Sequence, residues 1–493
     1  MSRQIYLYLF IVFIISGCIR EDKILHDPAI QLRFSTDTIF FDTTFTTVGS
    51  ATRVLKIFND ESHTIRIDQI TIAGTAGIHF NFNVDGYMSD KAENILVPAK
   101  DSLYLFCRVK VDPDQPLSVS PFVLEDKLQI KHNDHVQEVP LVAWGQNANY
   151  ITSKNNRGGY TLLTCDLQSV KWDDPKPYVI YGTLIVDSCT LEIPAGARVF
   201  FHGGLVRPED NTIAPYIDGR MIFFNQGKLK ISGTTTNKVF ISADRLEKAF
   251  DEVAGQWGGI AFKNPGKTNL ISNLDMKNST FGIYADSATQ LSIDHSAIYN
   301  TTANGILGIN SKINISNTLI YNTLSHSIYF TQGGDYDIKY TTVYNPYGNS
   351  YCLVLDNFKC TQVNPTSGQC IKGITIPSYL RVTNSVFAGN DDSEVIMADR
   401  NVPVVPDVYQ FNFSNSYIKG DSLKTGAFNA HTTNCIYANY QDRLFTNVNT
   451  NDFTPDSTAI IRKKGKPIPG ITDDLIGTTR DQGTPDPGCF ERK

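Results

Sequence analysis

The sequence predicts an all-β chain in which an antiparallel β-sandwich precedes a parallel β-helix. Three observations predict this fold class. The N-terminal part consists of short runs rich in Ile, Val, Phe and Thr between polar turns, whereas the C-terminal part contains a repeat of about 22 residues. Neither part contains a segment with the apolar period of an amphipathic helix.

Length and composition set the first limits. The chain has 493 residues, of which 41% are hydrophobic and 19% charged, so it is not disordered as a whole. A single hydrophobic core does not grow to this length, and about two or three domains are expected. Lys and Arg number 44 against 50 Asp and Glu, a net charge of −6. Because nucleic-acid binding normally requires a basic surface, the composition predicts no nucleic-acid partner.

The first residues have the pattern of an export signal. Arg3 precedes an apolar run at 5–15, which is too short to span a bilayer but has the length of a signal-peptide core. The run ends in Ser16-Gly17-Cys18, which resembles the bacterial lipoprotein signal, where small residues admit the peptidase and the cysteine is acylated. The resemblance implies a signal peptide at 1–17 and a palmitate-type lipid anchor on Cys18.

Two acidic residues follow the proposed anchor. Glu21 and Asp22 resemble the export tag that sends lipoproteins of Bacteroides-like bacteria to the outer face of the outer membrane. The resemblance implies a cell-surface protein that is held in the outer membrane through Cys18, with 18–29 as a tether.

The remaining cysteines are even in number, which permits disulfides in an exported protein. They are Cys107, Cys165, Cys189, Cys352, Cys360, Cys370, Cys435 and Cys489. Cys360 and Cys370 enclose a turn-rich loop and predict a local bridge, whereas the other pairings stay open. The sequence contains no CxxC pair and no His cluster at ligand spacing, so no zinc site is expected.

The segment 30–148 predicts the sandwich. Ile65 and Ile67 alternate with polar residues, which places apolar side chains on one face of a strand, and roughly seven such strands suit an antiparallel sandwich. The order of features, including 57–61 before a strand, resembles immunoglobulin-like domains of the ASPM/SPD-2/Hydin type. The resemblance implies an immunoglobulin-like β-sandwich that acts as a spacer.

A repeat follows the polar stretch at 149–159. Four segments begin with Ile and end with Asn, at spacings of 22, 22 and 23 residues: 271–278, 293–300, 315–322 and 338–345. β-Forming residues fill each segment, which favours the coils of a β-helix over a helical or leucine-rich repeat. The next equivalent segment begins at Val382, and the loop between Cys352 and Cys370 favours an insertion within one coil.

The asparagines that close the four segments predict a ladder. Asn tolerates a left-handed backbone, and stacked amides can form hydrogen bonds with the coils above and below. The predicted ladder consists of Asn278, Asn300, Asn322 and Asn345.

The C-terminal stretch resembles the right-handed parallel β-helices of the pectate-lyase-like superfamily, as found in surface lipoproteins of Bacteroides-like bacteria. Besides the repeat, the segments that carry the resemblance are 193–200, 227–234, 238–245 and 256–260. The resemblance implies a right-handed parallel β-helix with a C-terminal cap at 178–493, preceded by a linker and an N-terminal cap at 149–177.

Two short motifs resemble parts of the superfamily's active sites. Asp294-His295 looks like the Asp-His core of a pectate lyase motif, in which carboxylates hold calcium and a base removes a proton. Asp391-Asp392 resembles the paired aspartates of polygalacturonase-like hydrolases. Each pair also has a structural explanation, because Asp294-His295 occupies the repeat phase of Ser272-Asn273 and Asp391-Asp392 suits a polar turn.

Tryptophan offers a further contact for sugars. Trp172, Trp257 and the many tyrosines could stack on sugar rings, although Trp257 precedes two glycines and equally suits a buried position within a coil.

The sequence therefore predicts a membrane-anchored surface protein whose β-helix binds a glycan or a protein partner. Binding is favoured over catalysis because each catalytic set is incomplete, and fold alone does not give function. No cofactor is expected, except calcium if the protein is a lyase. The alternatives are a calcium-dependent lyase or a glycoside hydrolase acting on an acidic polysaccharide, and a structural subunit of an outer-membrane complex.

Overall fold

The computed structural model describes the chain from residue 24 onwards. Within this range it leaves out 26, 28–29, 42–49, 75–79, 85, 111–122, 145–147, 154–157, 209–211, 247–248, 349, 401–406, 421–425 and 439–441. The predicted signal peptide at 1–17 and Cys18 lie outside the described residues. The chain divides into two compact units, Met1–Gln146 and Asn147–Lys493.

The first unit is a β-sandwich. One sheet contains β1 (Ile24–Leu25), β3 (Ile39–Phe41), β5 (Thr64–Ile72), β8 (Lys91–Val97), β10 (Val123–His132) and β11 (His135–Trp144). The other contains β2 (Arg33–Phe34), β4 (Ser50–Phe58), β6 (Phe80–Val84), β7 (Tyr87–Ser89) and β9 (Ser102–Lys110). Neighbouring strands are antiparallel, except that β1 is parallel to β5 and β3 is parallel to β11. Because β1 joins a sheet, the predicted tether at 18–29 includes two residues of the sandwich.

Both sheets contribute to a single core. Fully buried side chains include Ile57, Phe82 and Leu105 from one sheet and Ile67 and Ile130 from the other. Ile67 lies inside as its alternation with polar neighbours predicts. The predicted sandwich is confirmed, whereas its assignment to the ASPM/SPD-2/Hydin type and its role as a spacer stay predictions.

The second unit is a right-handed parallel β-helix whose coils contribute strands to three stacks. Stack 1 contains β13 (Tyr160–Leu163), β16 (Thr183–Asp187), β21 (Arg220–Phe224), β24 (Gly259–Lys263), β27 (Ile283–Ala285), the first halves of β30 (Ile306–Ser316) and β32 (Ile328–Lys339), β34 (Leu353–Asp356) and β39 (Val395–Ala398). Stack 2 contains β14 (Ser169–Lys171), β17 (Thr190–Pro194), β22 (Lys228–Ser232), β25 (Thr268–Ser272), β28 (Gln290–Asp294), the second halves of β30 and β32, β37 (Ser378–Thr383), β40 (Tyr409–Ser414) and β42 (Thr432–Thr433).

Stack 3 forms the remaining side. It contains β12 (Asn149–Thr152), β15 (Tyr178–Tyr181), β18 (Arg198–His202), β23 (Val239–Ala243), β26 (Leu274–Lys277), β29 (Ala297–Thr301), β31 (Leu319–Thr323), β33 (Thr342–Asn345), β38 (Val386–Gly389), β41 (Tyr417–Ile418) and β43 (Ile436–Tyr437). The first strand of each stack, β12, β13 and β14, lies within 149–177 and pairs in parallel with the next coil. The segment predicted as linker and N-terminal cap therefore forms a coil of its own.

Short elements lie outside the stacks. They are the hairpins of β19 (Leu205–Val206) with β20 (Tyr216–Ile217), β35 (Phe358–Val363) with β36 (Cys370–Thr375) and β44 (Phe445–Asn447) with β45 (Asp452–Pro455), and the 3-10 helices Gly426–His431 and Val448–Thr450. The described part of the chain contains no helix that is long and apolar enough to cross a membrane.

The 22-residue repeat corresponds to one coil. Ile271, Ile293, Ile315, Ile338 and Val382 face one another in successive strands of stack 2. Their side chains are buried in the core of the coil, where each covers the next. An open coil cannot bury its own apolar side chains, so this stacking in register is the main source of stability.

The long spacing before Val382 is an insertion, as predicted. Val382 pairs directly with Ile338, and the extra residues form the β35–β36 hairpin within the same coil. The predicted Cys360–Cys370 disulfide bridges this hairpin. A second disulfide, whose pairing the sequence left open, joins Cys165 to Cys189. The other described cysteines, Cys107, Cys352, Cys435 and Cys489, are free thiols.

The predicted asparagine ladder is confirmed for three of its four members. Asn278, Asn300 and Asn322 have φ values of 65°, 54° and 53°. The Asn300 side chain donates to Asn278 Oδ1 at 3.2 Å, and the Asn322 side chain donates to Asn300 Oδ1 at 3.3 Å. The prediction is wrong for Asn345, whose amide turns into the corner and donates to Thr323 O and Ser325 O, carbonyl groups of the preceding coil's turn.

The C-terminal segment 442–493 covers the outside of stack 3. Its apolar side chains Phe453, Ile461 and Leu475 form a core with outward-facing residues of the stack, such as Leu319 and Val386. The predicted C-terminal cap therefore extends along the side of the β-helix. This segment covers stack 3 from β29 onwards, whereas the outer faces of stacks 1 and 2 are mostly half-buried or exposed.

Truncating one member of the isoleucine row should destabilise the β-helix. We expect Ile293→Ala to lower the free energy of unfolding by about 3 kcal/mol, because it leaves a cavity among side chains that cannot collapse around it. Urea unfolding of the two proteins measures the difference. Ser292→Ala, on the outer face of the same strand, is the control and should change stability by less than about 0.5 kcal/mol. An equal effect of both substitutions would contradict the assignment of inner and outer faces.

Candidate binding face

The middle of the outer face of stack 1 is apolar along its length. Eight successive coils place one residue each in register, and we call this row the central column. It consists of Ile185, Ile222, Ala261, Tyr284, Leu307, Tyr329, Val354 and Ile396. With strands about 4.8 Å apart, the column is roughly 34 Å long. Six of its side chains are half-buried, and Ala261 and Val354 are buried.

Stack 2 provides an internal comparison. Its equivalent outward column is polar except for one position: Glu192, Lys230, Leu270, Ser292, Asn314, Asp337, Arg381 and Asn412. Strands that face water normally alternate apolar and polar residues, as stack 2 does. The apolar central column of stack 1 is therefore not a requirement of the fold, and it identifies stack 1 as the candidate binding face.

Aromatic side chains from the corner between stacks 3 and 1 widen this face. Phe281 packs edge-on against Tyr284, with ring centroids 6.3 Å apart. His326 packs edge-on against Tyr329 at 5.5 Å and stacks on Tyr351 at 5.2 Å. These are two aromatic groups, two coils apart on the same side of the central column, and all five rings are half-buried.

The His326 ring is fixed in place and uncharged at neutral pH. Its Nδ1 accepts a hydrogen bond from the Tyr351 backbone N at 3.3 Å, and its backbone oxygen accepts one from the Asn304 side chain at 3.0 Å. Burial lowers the pKa of His326. The ring thus contributes an aromatic face rather than a charge.

Tyr284 likewise stays neutral. Burial, followed by the charge of Asp286 and a hydrogen bond to it, raises the pKa of Tyr284 to about 12. Lys263 lies over the Tyr284 ring, 6.0 Å from its centroid. Tyr284 therefore combines an apolar ring with a hydroxyl group and two charged neighbours that can form hydrogen bonds.

A second row, which we call the edge column, flanks the central column at the corner towards stack 2. Each of its residues lies two positions after one of the central column: Asp187, Phe224, Lys263, Asp286, Ile309, Thr331, Asp356 and Ala398. Asp187 pairs with Phe224, Phe224 with Lys263, Ile309 with Thr331 and Asp356 with Ala398. Several of its polar groups hold turns: Asp286 accepts from the Ser287 backbone N at 2.7 Å, and Asp356 accepts from the Phe358 backbone N at 2.6 Å. The face therefore has an apolar centre with aromatic residues on one side and mostly polar residues on the other.

The Asp294-His295 pair lies elsewhere, at the corner between stacks 2 and 3. His295 occupies the left-handed turn position that Asn273 and Asn317 fill in the neighbouring coils, with a φ of 46°. Its Nδ1 is 2.5 Å from Asp294 Oδ2, and its Nε2 is 3.5 Å from Asp473 of the covering C-terminal segment. Burial alone would lower the pKa of His295, but the hydrogen bond and charge of Asp294 outweigh it and raise the pKa.

These contacts explain the pair structurally. Asp294 Oδ1 accepts from Ser316 Oγ at 2.6 Å, and Asn317 lies 3.3 Å from His295 Nε2. Within the described residues, no three or more His, Cys, Asp or Glu side chains are grouped so that they could hold a metal ion. The catalytic role of Asp294 and His295 and the calcium of the lyase alternative stay predictions without support from this geometry.

Asp391 and Asp392 lie in a turn. Their neighbour Glu394 is more unusual, because its carboxyl group is buried. Asp391 Oδ2 accepts from the Ser350 backbone N at 3.0 Å, and Asp392 is exposed. The side chain of Glu394 is fully buried; its Oε1 accepts from the Asp391 backbone N at 3.0 Å, and Oε2 has no hydrogen-bond partner. Burial raises the pKa of Glu394 to about 7, although the neighbouring Cys352 thiol and the bond from the Asp391 backbone N act to lower it. No motif in the sequence indicated Glu394.

A cleft lies near this turn, between stack 3 and the C-terminal segment. It has a volume of about 630 Å³, and its lining includes Tyr344, Lys419 and Phe445. Lys419 Nζ donates to Gly389 O at 2.6 Å, and Tyr417 Oη donates to Asp442 at 3.0 Å. Because its polar groups bond mainly to one another, we regard the cleft as less suited to a ligand than stack 1.

The two tryptophans do not line the candidate face. Trp257 is fully buried inside the coils, where it stacks on Phe201 with ring centroids 4.3 Å apart. Trp172 is buried and stacks on Tyr178 at 4.6 Å. The suggestion that they stack on sugars is therefore wrong, and the buried position considered for Trp257 is confirmed.

Comparisons with known proteins found distant similarities to solved structures. No family model matches the chain, and no curated protein matches it. Among solved structures, pectate lyase Pel9A is 12% identical, with a TM-score of 0.30, 71% of this chain covered and 87% of that one. A mutant of the periplasmic alginate epimerase AlgG is 12% identical, with a TM-score of 0.19 and coverages of 57% and 79%. The catalytic unit of a GH87 α-1,3-glucanase from Streptomyces thermodiastaticus is 10% identical, with a TM-score of 0.21 and coverages of 74% and 78%. Similarities this distant carry no inference about what this chain binds or catalyses.

The buried Glu394 carboxyl should make stability depend on pH. Its proton is kept in the folded chain up to about pH 7 but is lost from the unfolded chain near the ordinary value of 4.5, so stability falls as pH rises between these values and then levels off. The full effect is on the order of 3 kcal/mol. We therefore expect Glu394→Gln to unfold at a higher temperature than the parent at pH 8 and to lose this advantage at pH 4.

Thermal unfolding at both pH values measures the effect. Asp392→Asn, an exposed carboxylate in the same turn, is the control and should show no such difference. If Glu394→Gln is no more stable relative to the parent at pH 8 than at pH 4, the folded chain does not retain the proton.

Proposed function

We propose that the β-helix binds a linear glycan along the outer face of stack 1. The observation that carries the proposal is the central column with its two aromatic groups, which occupies positions where the equivalent column of stack 2 is polar. Sugar rings present apolar C–H faces and equatorial hydroxyls, so they suit apolar and aromatic surfaces with hydrogen-bonding groups alongside. The edge column supplies such groups.

The geometry favours an extended ligand over a compact one. The column continues through eight coils in register, at about 4.8 Å per coil, which is comparable with the length of one sugar unit. Tyr284 and Tyr329 repeat after two coils, so a chain molecule could place alternate units on the two rings. The same residues lie on rigid strands, which lowers the entropic cost of binding.

We further propose that the protein is anchored in the outer membrane by a lipid on Cys18 and displays the β-helix at the cell surface. The support is the sequence 5–18, whose apolar core and small residues before the cysteine suit processing by the lipoprotein pathway. Cell-surface display would give the stack 1 face access to extracellular polysaccharide.

Removing one aromatic ring from the face should weaken glycan binding. We expect Tyr329→Ala to reduce the affinity roughly 5- to 30-fold, equivalent to about 1–2 kcal/mol for a buried contact. Affinity electrophoresis on the soluble form, residues 19–493, through gels that contain individual polysaccharides measures the change. Tyr104→Ala is the matched control, because Tyr104 is an exposed tyrosine of the sandwich and should leave retardation unchanged.

A parallel assay distinguishes binding from catalysis. The polysaccharide that retards the protein should be recovered at its original chain length, without unsaturated or reducing ends, in the presence and absence of calcium. Equal retardation of the Tyr329→Ala variant and the parent would contradict the binding face, and release of products would support the lyase or hydrolase alternative instead.

The proposed lipid anchor predicts that labelling with palmitate depends on Cys18. The parent chain, expressed in a Bacteroides-like host, should incorporate labelled palmitate and fractionate with the outer membrane, whereas Cys18→Ser should incorporate none, because the acylated thiol is absent. Cys435→Ser is the control, since it removes a free thiol of the β-helix without touching the signal. Equal labelling of the parent and Cys18→Ser would exclude Cys18 as the anchor.

A further inference from the structure

We infer that the glycan bound by stack 1 is uncharged. The inference rests on the proposed function and names its ligand class. It starts from the charges of the central and edge columns, whose positions all belong to the described residues. The central column contains no charged side chain, and the edge column contains Asp187, Asp286 and Asp356 against Lys263.

A uronic-acid polymer would require a different face. Such a polymer carries a carboxylate on every sugar, so a face that binds it needs cations at a comparable spacing along the coils. The edge column offers one lysine in eight coils, and that lysine already lies over the Tyr284 ring. Lys263 is thus too isolated to bind successive carboxylates.

The aspartates would oppose an acidic chain directly. Asp286 lies beside Tyr284 of the first aromatic group, and Asp356 lies in the edge column one coil beyond Tyr329. A carboxylate of the ligand beside either of them would have to be desolvated next to a like charge. The hydroxyls of a neutral sugar, in contrast, can donate hydrogen bonds to the same carboxylates, and hydrogen bonds to charged acceptors are the stronger kind.

The other charged groups near the face do not reverse this balance. Arg220 lies at the start of its strand, with Nε donating to Ile217 O at 3.0 Å and its guanidinium over the Tyr216 ring. Arg400 follows Asp399 beyond the end of stack 1, and Asp399 accepts from the Asn357 side chain at 2.7 Å. Lys263 therefore remains the one cation of the central and edge columns, against three aspartates in the edge column.

Affinity electrophoresis with two classes of polysaccharide tests the inference. The soluble form, residues 19–493, is run at low ionic strength through gels with neutral chains (laminarin, mannan and starch) and with acidic chains (polygalacturonate and alginate), each with and without calcium. We expect retardation by at least one neutral polysaccharide, unchanged when salt is added, and none by the acidic ones. Tyr329→Ala reports whether any retardation uses stack 1.

Each outcome has a distinct meaning. Retardation by polygalacturonate or alginate that Tyr329→Ala abolishes would overturn the uncharged class while leaving the binding face intact. Retardation by neither class would overturn the proposed function itself. Calcium-dependent retardation by an acidic chain would also overturn the inference, because the aspartates would then bind the polymer through the metal ion.

Replacing aspartates of the edge column with lysines is a second test of the inference. The double variant Asp286→Lys, Asp356→Lys should gain retardation by polygalacturonate at low salt, because it replaces two opposing carboxylates of the edge column with cations. Circular dichroism and the thermal midpoint show whether the variant is folded, and Asp90→Lys with Asp101→Lys, two exposed carboxylates of the sandwich, is the control for net charge and should gain no comparable retardation. If the folded double variant stays as indifferent to polygalacturonate as the parent, the aspartates do not exclude acidic chains and the inference fails.

Discussion

The stacking of coils in register is the constraint on which the rest of the structure depends. No coil can bury its own apolar side chains, so each must place Ile, Val or Leu directly above and below its equivalents, as Ile271, Ile293 and Ile315 do. Because side chains alternate between the two faces of a strand, fixing the inner rows also fixes the outer rows. Side chains of one kind that recur from coil to coil therefore form a continuous row along the outer face of the β-helix.

The outward rows of the three stacks differ in polarity and in what covers them. Stack 3 carries apolar residues such as Leu319 and Val386, which the C-terminal segment covers with Phe453 and Ile461. Stack 2 carries polar residues and meets water. Stack 1 is apolar like stack 3 in its central column, yet its side chains retain exposure. An apolar row that the fold does not need and that no other described segment buries completely is the feature that a ligand would cover.

The sequence predicted those parts of the fold that repeat or that have local chemistry. The isoleucine spacing predicted the coils, the excess length before Val382 predicted an insertion, and Cys360 and Cys370 were close enough to predict their bridge. The prediction for Asn345 failed because its amide instead satisfies carbonyl groups in the turn of the preceding coil. Such a difference depends on three-dimensional contacts that the spacing does not encode.

The candidate face was missed for another reason. The motifs considered for catalysis were pairs of charged residues at a corner and in a turn, and the tyrosines were considered for sugar contacts only as a group, without positions. The relevant signal was a second repeat, in which Gly282-Ile283-Tyr284, Gly305-Ile306-Leu307 and Ser327-Ile328-Tyr329 align with spacings of 23 and 22 residues. Its middle residue is inward and its third residue outward, so a non-polar third position already indicated an apolar outer face. Glu394 gave no such signal, because its burial depends on how the turns after stack 3 close.

Hydroxyl-radical footprinting of the soluble form most directly tests whether stack 1 is the binding face. The probe is the polysaccharide that retards the protein most strongly, and mass spectrometry measures the oxidation of each tyrosine with and without it. The account predicts that Tyr284 and Tyr329 lose reactivity while Tyr104 and Tyr379, on the sandwich and on stack 2, keep theirs. Protection confined to the cleft beside Tyr344, or protection on stack 2 without any on stack 1, would contradict it.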